Sequence, residues 1–174
     1  MFLTDPERTP HPWEQAERLP RGAGVVLRWF GRDDRLEVGR RLAEVCRDRG
    51  LRFLVGADAD LAEALEADGL HVPERNLEAV PSYRRRYPEW MITAAAHSPE
   101  AVSAATFSGL DAVLVSPVFT SPSPSAGAPL GVETFKAWVA GAGIAVYALG
   151  GVTADTAPAL ADSGACGLAT VGGI

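Results

Sequence analysis

The stretch Ile144-Ala145-Val146-Tyr147-Ala148-Leu149-Gly150-Gly151-Val152-Thr153 decides the fold. Residues Ile144–Leu149 are apolar, with β-branched and aromatic members, and read as a buried strand. Two glycines follow, and then a helix pattern over Thr153–Ser163. Working outward, the same order recurs. Strand patterns lie at Met1–Thr4, Gly24–Phe30, Leu51–Val55, Gly69–Val72, Trp90–Ala94, Asp111–Val115 and Gly167–Val171. Helix patterns lie between them, at Trp13–Leu19, from Asp33 or Asp34 to Arg49, at Asp58–Ala67, Pro99–Phe107 and Val132–Ala140. In the second of these, Leu36, Leu42, Val45 and Cys46 make one stripe, and Gly50 supplies the C-terminal stop. Ser98 caps the helix that opens on Pro99.

Alternation of this kind implies parallel strands joined by right-handed crossovers. Eight such units most naturally close into a (β/α)8 TIM barrel, although a doubly wound sheet of fewer strands would read similarly. The chain has 174 residues, fewer than the roughly 200 usual for that fold, and it stops after the eighth strand pattern. The expectation is a short α/β barrel with the final helix missing, so that the uncovered face calls for a partner such as a second subunit, a homo-oligomer. No repeat or linker divides residues 1–174, which read as a single barrel domain.

Composition narrows the chemistry. Sixteen basic against 22 acidic residues give a net charge of −6, which disfavours nucleic-acid binding. No apolar run reaches the ~18 residues needed to span a membrane, and MFLTDPERTP lacks a secretory pattern, so the expected setting is cytoplasmic. Cys46 and Cys166 form no disulfide framework or metal pair and read as small buried apolar residues. Lys136 is the single lysine beside 15 arginines, which excludes most lysine chemistry.

In a barrel, function gathers at the C-terminal strand ends. That rule selects Asp5, Arg28, Phe30, Gly56–Asp58, Glu74, Asn76, His97, the Ser116–Ser125 loop, Gly150–Thr153 and Gly172–Gly173. The glycine-rich ends Gly150-Gly151 and Val171-Gly172-Gly173 suit main-chain N–H groups that hold a phosphate, or are simply tight turns. Ser121, Ser123 and Ser125 offer hydroxyls in a loop that reads either as a lid or as a Ser/Pro linker. Arg28 lies within an apolar strand pattern and is either aimed at an anion or paired with a carboxylate. His71 and His97 lack metal-ligand spacing and read as structural, Arg84–Arg86 reads as a solvated helix face, and Asp58 with Asp60 could face a metal, unless Asp60 is a first-turn helix residue.

These phrases together resemble the thiamine-phosphate synthase and thiazole tautomerase superfamily. The resemblance is carried by FLTDP at Phe2–Pro6, Ala67-Asp68-Gly69-Leu70-His71-Val72, Ala96-His97-Ser98, Ser116-Pro117-Val118-Phe119-Thr120-Ser121-Pro122-Ser123, Pro129-Leu130-Gly131, Ala148–Thr153 and Ser163–Ala169. It implies a (β/α)8 barrel that couples a hydroxymethylpyrimidine diphosphate with thiazole phosphate. Mg²⁺ and cations would neutralise the departing pyrophosphate, and N–H groups at the last two strands would hold the thiazole phosphate. Of the family's Gln-x-Arg-x-Lys pattern only Arg28 remains, with Phe30 at the lysine position. Gly56-Ala57 replaces an Asn-Asp pair, Asn76 a second metal-binding Asp, and Ala95 a serine. Thus Mg²⁺ is implied while its usual carboxylate ligands are absent, with no metal site assigned unless Asp58 or Glu74 substitutes. Ser116-Pro117 follows the synthase branch. Three readings follow: a synthase-type transferase with Arg28 and His97 as candidate catalytic residues and Ser121, Ser123, Gly150, Gly151, Val171 and Gly172 as the phosphate site; a phosphate-ligand-binding barrel without turnover; and a tautomerase-type isomerase using His97 or His71.

Overall fold

The structure, a computed structural model, describes residues 1–123 and 127–172. Pro124 and Ser125 of the serine loop, and Gly173, lie outside the described residues. The strands are β1 (Phe2–Leu3), β2 (Gly24–Leu27), β3 (Arg52–Gly56), β4 (Gly69–Val72), β5 (Met91–Ala96), β6 (Ala112–Val115), β7 (Ala145–Ala148), β8 (Gly167–Leu168) and β9 (Thr170–Val171). The helices are α1 (Pro12–Ala16), α2 (Arg35–Arg49), α3 (Ala59–Ala64), α4 (Val80–Arg86), α5 (Pro99–Thr106) and α6 (Val132–Gly141), with 3₁₀ segments at Glu74–Ala79 and Ala157–Leu160. Strand order follows the chain within each unit described below, from β1 to β4 and from β5 to β8.

The chain forms two compact units. The first holds Met1–His71, Glu89–Met91 and the chain from Val171. Its strands pair in parallel, Leu3 with Val26, Val26 with Leu54 and Leu54 with Gly69. Every residue of β2 is buried, the pattern of a strand covered on both faces. The helix α2 turns Val38, Leu42 and Cys46 inward and ends at Gly50, which is left-handed as expected. The second unit holds Val72–Pro88 and Ile92–Thr170. There β5, β6, β7 and β8 pair in parallel, and Val113, Val115, Val118, Phe135 and Val146 form the core with Val102 of α5. Ser98 Oγ accepts from the Ala101 N–H at 3.1 Å, the cap that the sequence predicts. Among the described residues, no helix is long and apolar enough to cross a membrane.

Several local expectations need correction. The strand pattern at Gly167–Val171 divides at Ala169 into β8 and β9, making nine strands among the described residues. The helix pattern at Thr153–Ser163 yields only the 3₁₀ segment, because Thr153 and Thr156 bond each other locally and Thr156 Oγ1 donates to Gly151 O at 2.9 Å. Leu36 is 39% exposed and leaves the core stripe. Cys166 is exposed, not buried. Asp34 stands at the start of α2 but caps nothing with its side chain, since its carboxylate accepts the Trp29 indole N–H at 2.9 Å. Arg84 is no solvated-face residue: it donates to Asp111 at 2.6 Å and to the carbonyls of Gly109 and Pro88 at 3.0 Å.

Candidate functional site

The candidate residues fall into two sets, one in each unit. In the first unit, β2 ends at Leu27, so Arg28 stands just beyond the strand rather than inside it. Its N–H donates to Thr4 Oγ1 at 2.8 Å, and its side chain is half-buried. Burial lowers the pKa of its guanidinium, with Asp5 opposing that shift and Arg8 adding to it. A Cβ on Gly56 would lie 3.2 Å from Phe30 Cζ and 3.5 Å from Arg28 Cγ, so both side chains cross that glycine. Phe30 is 52% exposed, and Arg35 Cζ lies 5.5 Å from its ring centroid. Val171 closes β9, and Gly172 follows with φ +75°.

Asp58 is already engaged. One oxygen accepts the Leu61 N–H at 2.9 Å as the α3 cap, and the other meets Arg35 Nη1 at 2.8 Å. Arg35 Nη2 also donates to Gly56 O at 3.0 Å. A carboxylate held by a guanidinium and a helix N-terminus is a poor free metal ligand. Beside it, Ala57 is left-handed, with φ +60°.

In the second unit, the glycines after β7 are fixed by the loop after β6. Val118 N–H donates to Leu149 O and Phe119 N–H to Gly150 O, each at 2.9 Å. Leu130 and Gly131 N–H groups donate back to Pro117 O and Val118 O, which ties both ends of the serine loop to one base. Gly150 and Gly151 have φ +93° and +65°. A Cβ on Gly150 would sit 2.6 Å from Pro117 Cα, and one on Gly151 would strike Thr120 O. The turn reading is therefore right as far as it goes. Yet the carbonyls carry those bonds: among the described residues, no hydrogen bond occupies the N–H of Gly150 or Gly151. Two adjacent unpaired N–H groups make a concave donor pair suited to an anion.

His97 follows β5 and is exposed. Its Nδ1 lies 2.9 Å from Ser116 O and 3.2 Å from Ser116 Oγ. A carbonyl oxygen only accepts and a hydroxyl does either, so Nδ1 meets Ser116 O as a donor or Ser116 Oγ as a donor or an acceptor. The His97 N–H donates to Glu74 Oε2 at 2.6 Å, which engages that carboxylate. Asn76 lies in the 3₁₀ segment before α4. Ser121 Oγ accepts the Ser123 N–H at 3.3 Å, and both serines are half-buried. His71 is buried at the end of β4. The residue that sequence reading passes over is Arg8. Its signal is its place in the loop after β1, where the strand-end rule already selects Asp5.

The fold is that of the (β/α)8 class of α/β proteins. A solved thiamine phosphate pyrophosphorylase from Pyrococcus furiosus matches with a TM-score of 0.84 and 25% identity, over 98% of this chain and 83% of that one. A structure described as native KDPGal matches at 0.67 with 16% identity over 97% of this chain and 81% of that one, a likeness of fold alone. The chain belongs to the thiamine monophosphate synthase family, whose pattern matches residues 13–174. The thiamine-phosphate synthase of Moorella thermoacetica is 31% identical over 140 residues, 80% of this chain and 67% of that protein. The putative thiamine-phosphate synthase 2 of Aquifex aeolicus is 35% identical over 120 residues, 68% of this chain and 63% of that protein. The chain thus spans about two thirds of the length of these curated relatives.

Proposed function

We propose that this chain is a synthase-type transferase of thiamine biosynthesis, joining a pyrimidine diphosphate to a thiazole phosphate. In that step the C–O bond of the pyrimidine methylene breaks and its electron pair leaves with diphosphate. The thiazole nitrogen then donates its pair to the methylene cation, forming the C–N bond. The protein's part is to hold the two phosphorylated groups and offset separating charge. The carrying observation is the unpaired N–H pair of Gly150 and Gly151, held rigid by the loop after β6, in a chain of this family. In the same unit Ser121 and Ser123 extend the proposed phosphate-holding set, and in the first unit Val171 and Gly172 offer a second glycine-bearing strand end of that kind. Arg28, in the first unit, is the group we assign to a phosphorylated substrate.

The donor set does not suit a carboxylate-held Mg²⁺. Asp58 is bound to Arg35, Glu74 to the His97 N–H, and position 76 is an asparagine. Among the described residues, no three His, Cys, Asp or Glu come together as ligands. We place the reaction in the cytoplasm, because multiply charged phosphate esters cross a bilayer poorly.

The test is pyrophosphate release from the two substrates together. Wild-type protein releases it, and Arg28→Gln is slower by about 10²–10³. His97→Ala keeps release within about tenfold, as expected for a group that is not the essential proton carrier. Ligand binding without release above a heat-inactivated control overturns the transferase reading in favour of a binding protein. Metal-free isomerisation abolished by His97→Ala overturns it in favour of an isomerase.

A further inference from the structure

Parallel pairing sets Leu3 opposite Val26. Thr4 carries that register past the strand ends: its N–H donates to Val26 O at 3.0 Å, and its Oγ1 accepts the Arg28 N–H at 2.8 Å. The next residue, Asp5, therefore falls beside Arg28. The loop that follows is locked from within. Asp5 Oδ1 accepts the N–H groups of Glu7 at 3.0 Å and Arg8 at 3.2 Å. Asp5 O accepts from Thr9 twice, from its N–H at 2.8 Å and its hydroxyl at 2.9 Å, and Thr9 is only 4% exposed. Arg8 thus projects from a fixed main chain. It packs against the end of β9, where a Cβ on Gly172 would lie 3.2 Å from Arg8 Cβ and 3.8 Å from Arg8 Cδ.

Arg8 and Arg28 are both half-buried, and among the described residues neither side chain has a hydrogen-bond or ion-pair partner. Asp5, the carboxylate between them in register, spends one oxygen on main-chain groups. Two guanidinium groups held on one rim, with a single partly engaged counter-charge, leave an excess of positive charge and of planar N–H donors. That combination recognises phosphoryl oxyanions, which can accept from both groups at once.

We propose that Arg8 is a second anion-binding residue beside Arg28, so that the two guanidinium groups grip a phosphoryl or diphosphoryl group. This rests on the reading that the strand ends take a phosphorylated ligand, and it adds a second cationic group to that reading.

Titration calorimetry with inorganic pyrophosphate, and separately with inorganic phosphate, tests it on the full chain. The variants are Arg8→Gln, Arg8→Lys, Arg28→Gln and Arg47→Gln, the last an exposed arginine whose loss changes the net charge equally. Arg8→Gln and Arg28→Gln each weaken pyrophosphate binding about tenfold or more, Arg8→Lys recovers part of the loss, and Arg47→Gln stays within about twofold. Tighter binding of pyrophosphate than of phosphate marks a diphosphate group as the ligand; equal binding marks a monoester. Loss in Arg28→Gln with none in Arg8→Gln overturns the role of Arg8 while the synthase reading stands. Equal loss in Arg47→Gln overturns it as a charge effect only. Absence of binding to the wild type overturns it outright, whereas the synthase reading falls only on failure to release pyrophosphate from its own substrates. Near-ultraviolet circular dichroism of each variant confirms that a loss is not unfolding.

Discussion

Cys46 and Cys166 are alike in composition and opposite in setting. Cys46 is 1% exposed on the inner face of α2, and burial, reinforced by Asp68, pushes its thiol from 9.0 up to about 12. Below pH 9 the thiol is neutral in folded and unfolded chains alike. Above that, the unfolded chain ionises and the folded one does not, so stability drains away between about pH 9 and 12, by about 1.4 kcal/mol per pH unit. Urea unfolding at pH 8, 9.5 and 11 checks this against Cys46→Ala, whose stability declines less steeply; equal slopes would contradict the assignment. The exposed Cys166 donates to Val146 O at 3.2 Å. Sequence pattern could not separate the two, because position 166 lies among small residues that suit a core or a surface equally. Arg28 shows the same limit: its residue type was legible, but its place one step past β2 is set by register with Thr4. The engagement of Asp58 by Arg35, 23 residues away in sequence, was not legible at all.

At the scale of elements, one device occurs twice. Asp68 precedes β4 and accepts the Phe53 N–H at the start of β3, at 2.8 Å. Asp111 precedes β6 and accepts the Ile92 N–H in β5, at 2.7 Å. Each carboxylate satisfies a main-chain donor that the ladder leaves open at the strand's beginning. Asp111 also meets Arg84 at 2.6 Å. Asp111→Ala therefore destabilises by about 1–2 kcal/mol, against near zero for Glu66→Ala in the exposed pair with Arg47. Thermal melts of the two variants check the contrast, and equal midpoints would remove the capping role. The strands were readable because apolar runs such as Val113–Val115 are buried on both faces, and α5 because Ser98 caps it as its position predicts; the cap of α3 by Asp58 emerges from the structure. The 3₁₀ segment was misread because Thr153 and Thr156 satisfy each other before a helix can extend. The break between β8 and β9 has no sequence mark, since Ala169 fits a strand as well as an interruption.

For the molecule as a whole, a ligand that binds only the folded chain raises its stability in proportion to the logarithm of its concentration. Pyrophosphate at about 100 times its dissociation constant should add about 2.7 kcal/mol to the wild type, and no more than about 1.4 kcal/mol to an Arg28→Gln variant that binds tenfold more weakly, so the melting midpoint rises less in the variant. A flat response in the wild type would separate this chain from phosphate recognition. The class of fold was legible because eight strand patterns alternate with helices, and the structural match to the Pyrococcus furiosus protein bears that out. The grouping of Arg8 with Arg28 was not, because a locked five-residue loop leaves no periodic trace. Lys136, the single lysine, lies on α6 with its amine 3.4 Å from Glu133. Apart from a terminal amine, an amine-reactive dye or resin therefore meets one internal position, with no engineered cysteine needed and neither arginine of the proposed grip consumed.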